Sequence, residues 1–227
     1  MESPMTLVFS ARRPNCTSCL RPQNACICHW VRPTEHQTEV LILQHPLELH
    51  EAKGTARLLH LSLAHSRLVT GEQFAEAELR ALLTEPFGPQ DPQDPPRPAR
   101  HAVLIYPEAA QDATLGIATA PPLEPAWLQD PARLRLVVLD GTWRKSRRML
   151  HLNPLLQQLP RLTLQHLPPS RYRIRKARQL HQLSTLEACC AALAKLEDDA
   201  QRFEPLLAAF DGLIEHLLQA RPPQTFS

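Results

Sequence analysis

Apolar runs of strand length recur along the chain and predict a layered α/β fold. Segments 39–44, 102–106 and 134–139 are short, almost wholly apolar and bounded by polar residues or proline. Such runs are typical of strands buried on both faces of a sheet. Segments 73–84 and 202–219 carry apolar residues at helical spacing. This alternation favours a mostly parallel sheet flanked by helices.

Weaker patterns complete the predicted elements. A helix is expected to follow His45-Pro46 and to continue to Leu61, and segments 66–70 and 161–166 read as short strands. Segment 85–101 contains six prolines, so it is predicted to be a surface loop.

Length and composition limit the classes of protein to which the chain can belong. The chain has 227 residues and 43% hydrophobic content, enough for a real core. No apolar run approaches the roughly 18 residues of a membrane span, and the first residues lack the apolar centre of a signal peptide. We therefore expect a cytoplasmic protein without a membrane segment. The net charge is only +2, but Asp140 is the single acid between residues 133 and 178, which favours a nucleic-acid partner.

Segment 134–150 is the most informative stretch. Its apolar strand ends at Asp140-Gly141, and Thr142 can cap the helix that follows. Because ligands bind beyond the carboxyl ends of strands in open α/β sheets, Asp140 is a candidate site residue. The alternative is an ordinary turn followed by a solvated basic helix face. That helix begins with Trp143 and four cations: Arg144, Lys145, Arg147 and Arg148.

Four cysteines lie close together near the N-terminus, in the pattern Cys16-x2-Cys19-x6-Cys26-x-Cys28. In a cytosolic chain such a cluster favours a metal over disulfides, and four thiolates form a closed structural zinc site. His29 could replace one thiolate, and the alternative is four reduced thiols in a loop. We predict a zinc-binding segment at residues 1–36 and a catalytic domain at 37–227.

Two features precede the last helices. A cationic loop surrounds Tyr172, and it is expected either to hold phosphates or to form a solvated arm. Ser184 and Glu187 have the spacing of a capping box, which predicts a helix start. The loop cations are Arg171, Arg173, Arg175, Lys176 and Arg178.

Five blocks of the sequence resemble one known family. Asp140-Gly141-Thr142-Trp143 resembles the Asp-x-Thr-Trp signature of the DTW-domain family. Gly54 departs from the family pattern, in which many members carry Asn. The other blocks, which follow the family's order, are the cysteine cluster, His45-Pro46-x-Glu48 with Thr55-x-Arg57-Leu58, Ile105-Tyr106-Pro107, and Leu183-Ser184-Thr185-x-Glu187-Ala188.

The resemblance implies an activity, a cofactor and a site. The family is known as tRNA-uridine aminocarboxypropyltransferases, which use S-adenosylmethionine to modify N3 of a uridine, on a fold similar to the knotted SPOUT class. Asp140 would act as the base or hold the methionyl ammonium, and Trp143 would stack on a base or on adenine. The implied cofactor residues are Leu104, Tyr106, Pro107, Leu139, Asp140, Gly141, Thr142, Leu183, Ser184, Thr185 and Glu187.

The partner implied by the resemblance is tRNA. Arg57, the cations of 144–148 and those of 171–178 would hold its phosphates, and no obligate protein partner is inferred. Two alternatives remain at this stage. One is a SPOUT-type RNA methyltransferase, and the other is a non-enzymatic, zinc-bearing RNA-binding protein.

Overall fold

Five parallel strands form the centre of the molecule. The computed structural model describes residues 14–49, 51, 54–88, 98–107, 116–164 and 183–219. Within these residues the strands form one sheet in the order β2-β1-β4-β3-β5, and each neighbouring pair is parallel. The prediction of a mostly parallel sheet is confirmed. The strands are β1 (Glu39–Gln44), β2 (Ser66–Thr70), β3 (His101–Ile105), β4 (Leu134–Asp140) and β5 (Arg161–Leu162).

Helices cover both faces of this sheet. Alternate residues of β1 and β4 point to opposite faces, so Val40 and Leu136 join one apolar core while Leu41 and Val137 join the other. The first core also contains α5 and α6, and the second contains α2, α3 and α4. Among the described residues, no helix combines the length and the apolar character required to cross a bilayer. The helices are α1 (Ala56–Ser62), α2 (Glu76–Thr84), α3 (Trp143–Leu152), α4 (Pro154–Gln157), α5 (Thr185–Leu196) and α6 (Glu204–Gln219).

Several element boundaries differ from prediction, and tertiary contacts explain two of them. The helix expected directly after His45-Pro46 is a short 3-10 turn, and α1 begins only at Ala56. Thr55 immediately before it accepts a hydrogen bond from Leu186 N at 3.4 Å, which ties the helix start to α5. Likewise α2 begins at Glu76 instead of residue 73, because Phe74 N donates to the Asn153 side chain.

The sheet edge explains a third difference. The predicted strand 161–166 is shortened to Arg161–Leu162 in the structure. Its only strand neighbour among the described residues is β3, which ends at Ile105 opposite Leu162. Where the structure describes the chain, no ladder continues beyond that pair, so residues 163 and 164 leave the sheet. Residues 165 and 166 of the predicted strand lie outside the described residues.

A buried cation anchors the amino end of the sheet. Arg135 on β4 is fully buried and forms an ion pair with Glu39 on β1. Its guanidinium also donates to the carbonyl of Leu82 at 2.6 Å and to that of Glu85, at the end of α2. Burial lowers the pKa of Arg135, while Glu39 and the carbonyls compensate for lost hydration. This end of the sheet is therefore structural.

The N-terminal segment packs directly on α6. An added Cβ at Gly212 would overlap Cζ3 of Trp30, since it would lie closer than non-bonded carbon atoms can approach. Gly212→Ala is therefore expected to lower the free energy of unfolding by about 1–3 kcal/mol, the usual cost of overpacking a filled core. Urea denaturation of the two proteins measures this difference.

A second variant, which lacks the Trp30 ring, separates the effect of the Trp30 contact from the effect of helix propensity. Ala exceeds Gly in helix propensity by about 1 kcal/mol. In a Trp30→Ala background, where the ring is absent, Gly212→Ala should therefore raise the free energy of unfolding. An equal loss in both backgrounds would mean that Trp30 is not the obstacle.

Candidate active site

Asp140 joins three elements at the carboxyl end of the sheet. It is the last residue of β4 and is only 6% exposed. Its Oδ2 accepts a hydrogen bond from Gln44 Nε2 at 2.9 Å, and its Oδ1 accepts one from Thr185 Oγ1 at 2.6 Å. Hydrogen bonds donated to a carboxylate stabilise its ionised form. The structure thus holds a buried carboxyl group, with a hydrogen bond to each oxygen, where β1, β4 and α5 meet.

Local structure explains why these side chains converge. The parallel register of β1 and β4 pairs Gln44 with Asp140. Ser184 Oγ accepts from Glu187 N at 3.2 Å, while Ser184 N donates to Glu187 Oε2 at 2.7 Å. This reciprocal pair confirms the predicted capping box and fixes Thr185 as the first residue of α5.

The turn after β4 brings α3 close to the sheet. Thr142 caps α3 as predicted, with its side chain accepting a hydrogen bond from Lys145 N. A Cβ at Gly141 would lie 3.1 Å from Lys145 Cβ and 3.6 Å from His45 Cβ. An alanine at position 141 would therefore crowd the Lys145 side chain, while its contact with His45 would be ordinary.

His45 has a local structural role. Its Nδ1 accepts from Leu47 N at 3.1 Å, so its Nε2 carries the proton and donates to Glu72 Oε1 at 3.0 Å. The hydrogen bond to His45 and the nearby Arg148 lower the pKa of Glu72. The histidine therefore orders the segment after β1.

A pocket of about 290 Å³ opens beside Asp140. Strand ends form its floor, and the starts of α3 and α5 form two of its walls. Seven of the residues expected at a cofactor site line it: Tyr106, Pro107, Leu139, Gly141, Leu183, Ser184 and Thr185.

The remaining four expected residues lie outside the pocket lining. Leu104 is fully buried in the core below the pocket. Thr142 and Glu187 cap α3 and α5, and Asp140 lies beneath Thr185. For Leu104, Thr142 and Glu187 the structure supplies a packing or capping role that needs no ligand.

Other residues of the lining were not predicted as site residues from the sequence. Ser146 lies one helical turn after Trp143, and Ala188 lies one turn after Thr185. Helical spacing from an assigned residue would have found both. The other missed residues are Ile105, Val138, Leu162 and Leu164.

Stacked side chains build another wall of this pocket. The rings of Tyr106 and Trp143 stack with centroids 5.1 Å apart and planes 14° from parallel. The Arg161 guanidinium lies 5.0 Å from the Tyr106 ring, and that of Arg147 lies 5.2 Å from the Trp143 ring. Trp143 keeps 37% of its surface exposed. These cation–π contacts fix the orientation of a partly exposed indole at the pocket entrance.

The cations of α3 have protein partners that sequence analysis did not anticipate. Lys145 pairs with Glu48 at 2.8 Å, and Arg148 pairs with Glu72 at 2.7 Å. Two of the predicted RNA contacts therefore already have an acidic partner within the protein. Arg144 is exposed and has no ion pair among the described residues, and the whole set stays a predicted RNA contact. The predicted cations Arg171, Arg173, Arg175, Lys176 and Arg178 lie outside the described residues.

The four N-terminal cysteines form one cluster. Their sulfur atoms all lie within 4.8 Å of one another. The distance between the sulfurs of Cys16 and Cys28 is 3.6 Å, and that between Cys19 and Cys26 is 3.7 Å. Tetrahedral zinc with Zn–S bonds of about 2.3 Å requires sulfurs about 3.8 Å apart, so the donor set fits this ion. His29 is not a member of the cluster.

The thiols of the cluster differ in acidity. Backbone N–H groups of Cys19 and Ser18 lower the pKa of Cys16 to about 6. Burial, together with its neighbours, raises the pKa of Cys28 to about 12. A divalent cation would lower the pKa of every ligating thiol, so metal binding and release of thiol protons are coupled here.

Comparison with known proteins identifies the family. The model of the DTW domain matches residues 13–218. The chain belongs to the DTW-domain family. It is 30% identical over 213 residues to tRNA-uridine aminocarboxypropyltransferase 2 of Mus musculus and 28% identical over 213 residues to that of Macaca fascicularis. Each alignment covers 92% of this chain and 65% of the relative.

A third animal relative carries the same name. The chain is 28% identical over 215 residues to tRNA-uridine aminocarboxypropyltransferase 2 of Drosophila melanogaster, with 91% of this chain and 76% of that protein covered. No solved structure matches the chain significantly.

The DTW signature residues occupy three different positions in this structure. Asp140 lies buried between β1 and α5, Thr142 caps α3, and Trp143 faces the pocket. The signature therefore combines one buried carboxyl group, one helix cap and one aromatic side chain of the pocket wall within four residues.

Proposed function

We propose that the chain is a tRNA-uridine aminocarboxypropyltransferase. It would transfer the 3-amino-3-carboxypropyl group of S-adenosylmethionine to N3 of a uridine in tRNA, with methylthioadenosine as the second product. The names of the DTW-domain relatives support this activity. The observation that carries it is the buried Asp140 carboxylate beside the pocket at the carboxyl end of the sheet.

The pocket has the chemistry that this cofactor requires. Leu139, Leu162 and Leu164 offer an apolar surface to adenine. On one side Thr185 brings a hydroxyl that is hydrogen-bonded to the carboxylate of Asp140, which lies next to the lining. A cofactor that carries an ammonium and a sulfonium is attracted to such an anion. When bound, S-adenosylmethionine supplies a γ-carbon activated by the sulfonium. Tyr106, Gly141 and Ser184 are further candidate contacts.

Two roles for Asp140 follow from its surroundings. Gln44 and Thr185 each donate one hydrogen bond to it, which favours the ionised form of the carboxylate. Asp140 can therefore accept the N3–H of uridine, or it can hold the methionyl ammonium. In both roles its rigid setting positions the reacting groups, which is the main requirement for an in-line transfer. Trp143 is a stacking surface for the uracil or the adenine.

Several further features belong to the same proposal. The α/β domain would have the knotted SPOUT-like topology, and the catalytic part would comprise residues 37–227. The cysteine cluster of residues 1–36 would hold one structural zinc ion. Four thiolates would fill its coordination shell and leave no open position for a substrate. The protein would act in the cytoplasm, where its tRNA substrate is found.

Nucleoside analysis tests the proposed activity. Unmodified tRNA is incubated with the protein and S-adenosylmethionine, digested to nucleosides and examined by mass spectrometry. We expect a uridine that carries the aminocarboxypropyl fragment, only when both protein and cofactor are present. A uridine heavier by a methyl group would instead identify a methyltransferase. A protein that binds tRNA but has no cofactor affinity in equilibrium dialysis would be a non-enzymatic RNA-binding protein.

A further inference from the structure

A second cavity lies on the other side of Gln44. It has a volume of about 490 Å³, larger than the pocket beside Trp143. The turn between Cys16 and Arg21 forms one wall, and the segment after β1 forms the opposite wall. We call it the knuckle pocket; the residues used below are Leu20, Arg21, Gln44, Leu49, Glu51 and Arg57.

The knuckle pocket adjoins the candidate transfer site. Gln44 lines it and donates its amide hydrogen bond to Asp140, and Thr185 on the far side of Asp140 lines the first pocket. The two cavities are thus separated by a chain of three hydrogen-bonded side chains. A ligand in the knuckle pocket would lie next to the group that the proposed reaction depends on.

Leu20 occupies this pocket at a conformational cost. Its φ is 61°, in the left-handed region that disfavours side chains with a Cβ. The turn explains the backbone, since Leu20 N donates to Cys16 O at 2.9 Å. A glycine at position 20 would adopt the same left-handed conformation without strain. The leucine side chain gains little burial in return, because it is 52% exposed. The backbone is thus strained at a residue whose apolar side chain is exposed. This combination points to a contact that the side chain makes when a ligand binds.

The other walls suit a flat ligand with a polar edge. Leu49 is 41% exposed, so the cavity offers two aliphatic surfaces. Gln44 and Glu51 provide amide and carboxylate groups, and Arg57 provides a cation. The Arg21 side chain donates to Gly54 O at 2.9 Å, which ties the turn to the opposite wall. Apolar faces, an edge that forms hydrogen bonds and a nearby phosphate are the features of a nucleotide.

We infer that the knuckle pocket receives an unpaired nucleobase of the RNA substrate, with Leu20 in contact with its face. The inference rests on the proposed action on tRNA. The cysteine cluster would then contribute to RNA binding as well as to stability, because the turn that carries its cysteines presents Leu20 to the RNA. Proteins read single-stranded RNA through splayed bases held on side-chain surfaces, and the pocket is within the size range of small-ligand sites.

Leu20→Gly tests this inference, because the substitution relieves the backbone while removing the side chain. We expect an unchanged or higher melting temperature, unchanged zinc content and unchanged affinity for S-adenosylmethionine. The affinity for tRNA should fall roughly tenfold, the factor expected when one aliphatic contact is lost. Because no charge is changed, the dependence of affinity on salt should keep its slope. Binding to a fully paired RNA duplex of similar length should not change.

The matched control is Asp198→Gly. Asp198 is the other non-glycine residue with a positive φ among the described residues, at 49°, and it is exposed at the end of α5. This variant introduces the same backbone freedom and should not weaken tRNA binding. An unchanged tRNA affinity in Leu20→Gly, or an equal loss for tRNA and duplex, would overturn the inference. If the wild-type protein fails to modify tRNA, the proposed function fails, and the affinity comparison still decides the pocket.

Discussion

Asp140→Asn is expected to reduce turnover by roughly 10²- to 10⁴-fold, the range for loss of a general base. The substitution keeps the shape of the side chain and removes its charge. The protein should remain folded, since the Gln44 amide can rotate and present its oxygen to the new amide group while Thr185 donates to the remaining oxygen. The loss therefore reports chemistry or binding, with little contribution from unfolding.

Two measurements assign the role of Asp140. If it accepts the N3 proton, turnover falls while the affinity for S-adenosylmethionine is retained. If it holds the methionyl ammonium, cofactor affinity falls together with turnover. Asp130→Asn, the same change at an exposed residue before β4, serves as the control and should leave both quantities unaltered. Near-normal turnover in the Asp140 variant would refute both roles and leave an ordinary strand-end residue.

The central strands were predictable because burial on both faces requires continuous apolar runs. Val40 to Leu43 and Leu136 to Leu139 satisfy that requirement within single segments of sequence. The start of α1 was not predictable, because it depends on contact between Thr55 and the distant α5. The burial of Arg135 was not predictable either, because it depends on distant partners. An ion pair with Glu39 and hydrogen bonds to two carbonyl groups make it possible to bury this cation.

In the candidate site, too, the features set by local sequence were predictable and those set by long-range contacts were not. Asp140 was predicted from a strand end and a turn, both of which are local signals. Gln44 and Thr185 were not recognised as its partners, because strand register and the position of α5 bring them together from sites 96 and 45 residues away. The pairing of Lys145 with Glu48 was hidden for the same reason, since its acid lies 97 residues earlier. A local charge count therefore overestimates the need for external counterions.

Loss of the proposed zinc site should destabilise the protein strongly. Cys19 is buried, and the other three clustered cysteines pack against the same core as α5 and α6. Ser is a poor zinc ligand, so Cys19→Ser should lower the metal content from about one zinc per chain. A metal held at 1,000 times its dissociation constant contributes about 4 kcal/mol of stability, and the variant should lose a similar amount. Metal analysis and thermal unfolding measure the two effects.

Cofactor affinity in the folded fraction should survive this change, because no described residue before Ile105 lines the pocket beside Trp143. Cys189→Ala is the matched control. Cys189 is fully buried in the same core but lies outside the cluster, so its loss removes a packed thiol and leaves zinc bound. A chelator should lower the melting temperature of the wild type and of Cys189→Ala by similar amounts and leave that of Cys19→Ser unchanged. A metal-free wild type with an unaltered melting temperature would mean that the four thiols need no ion to hold their fold.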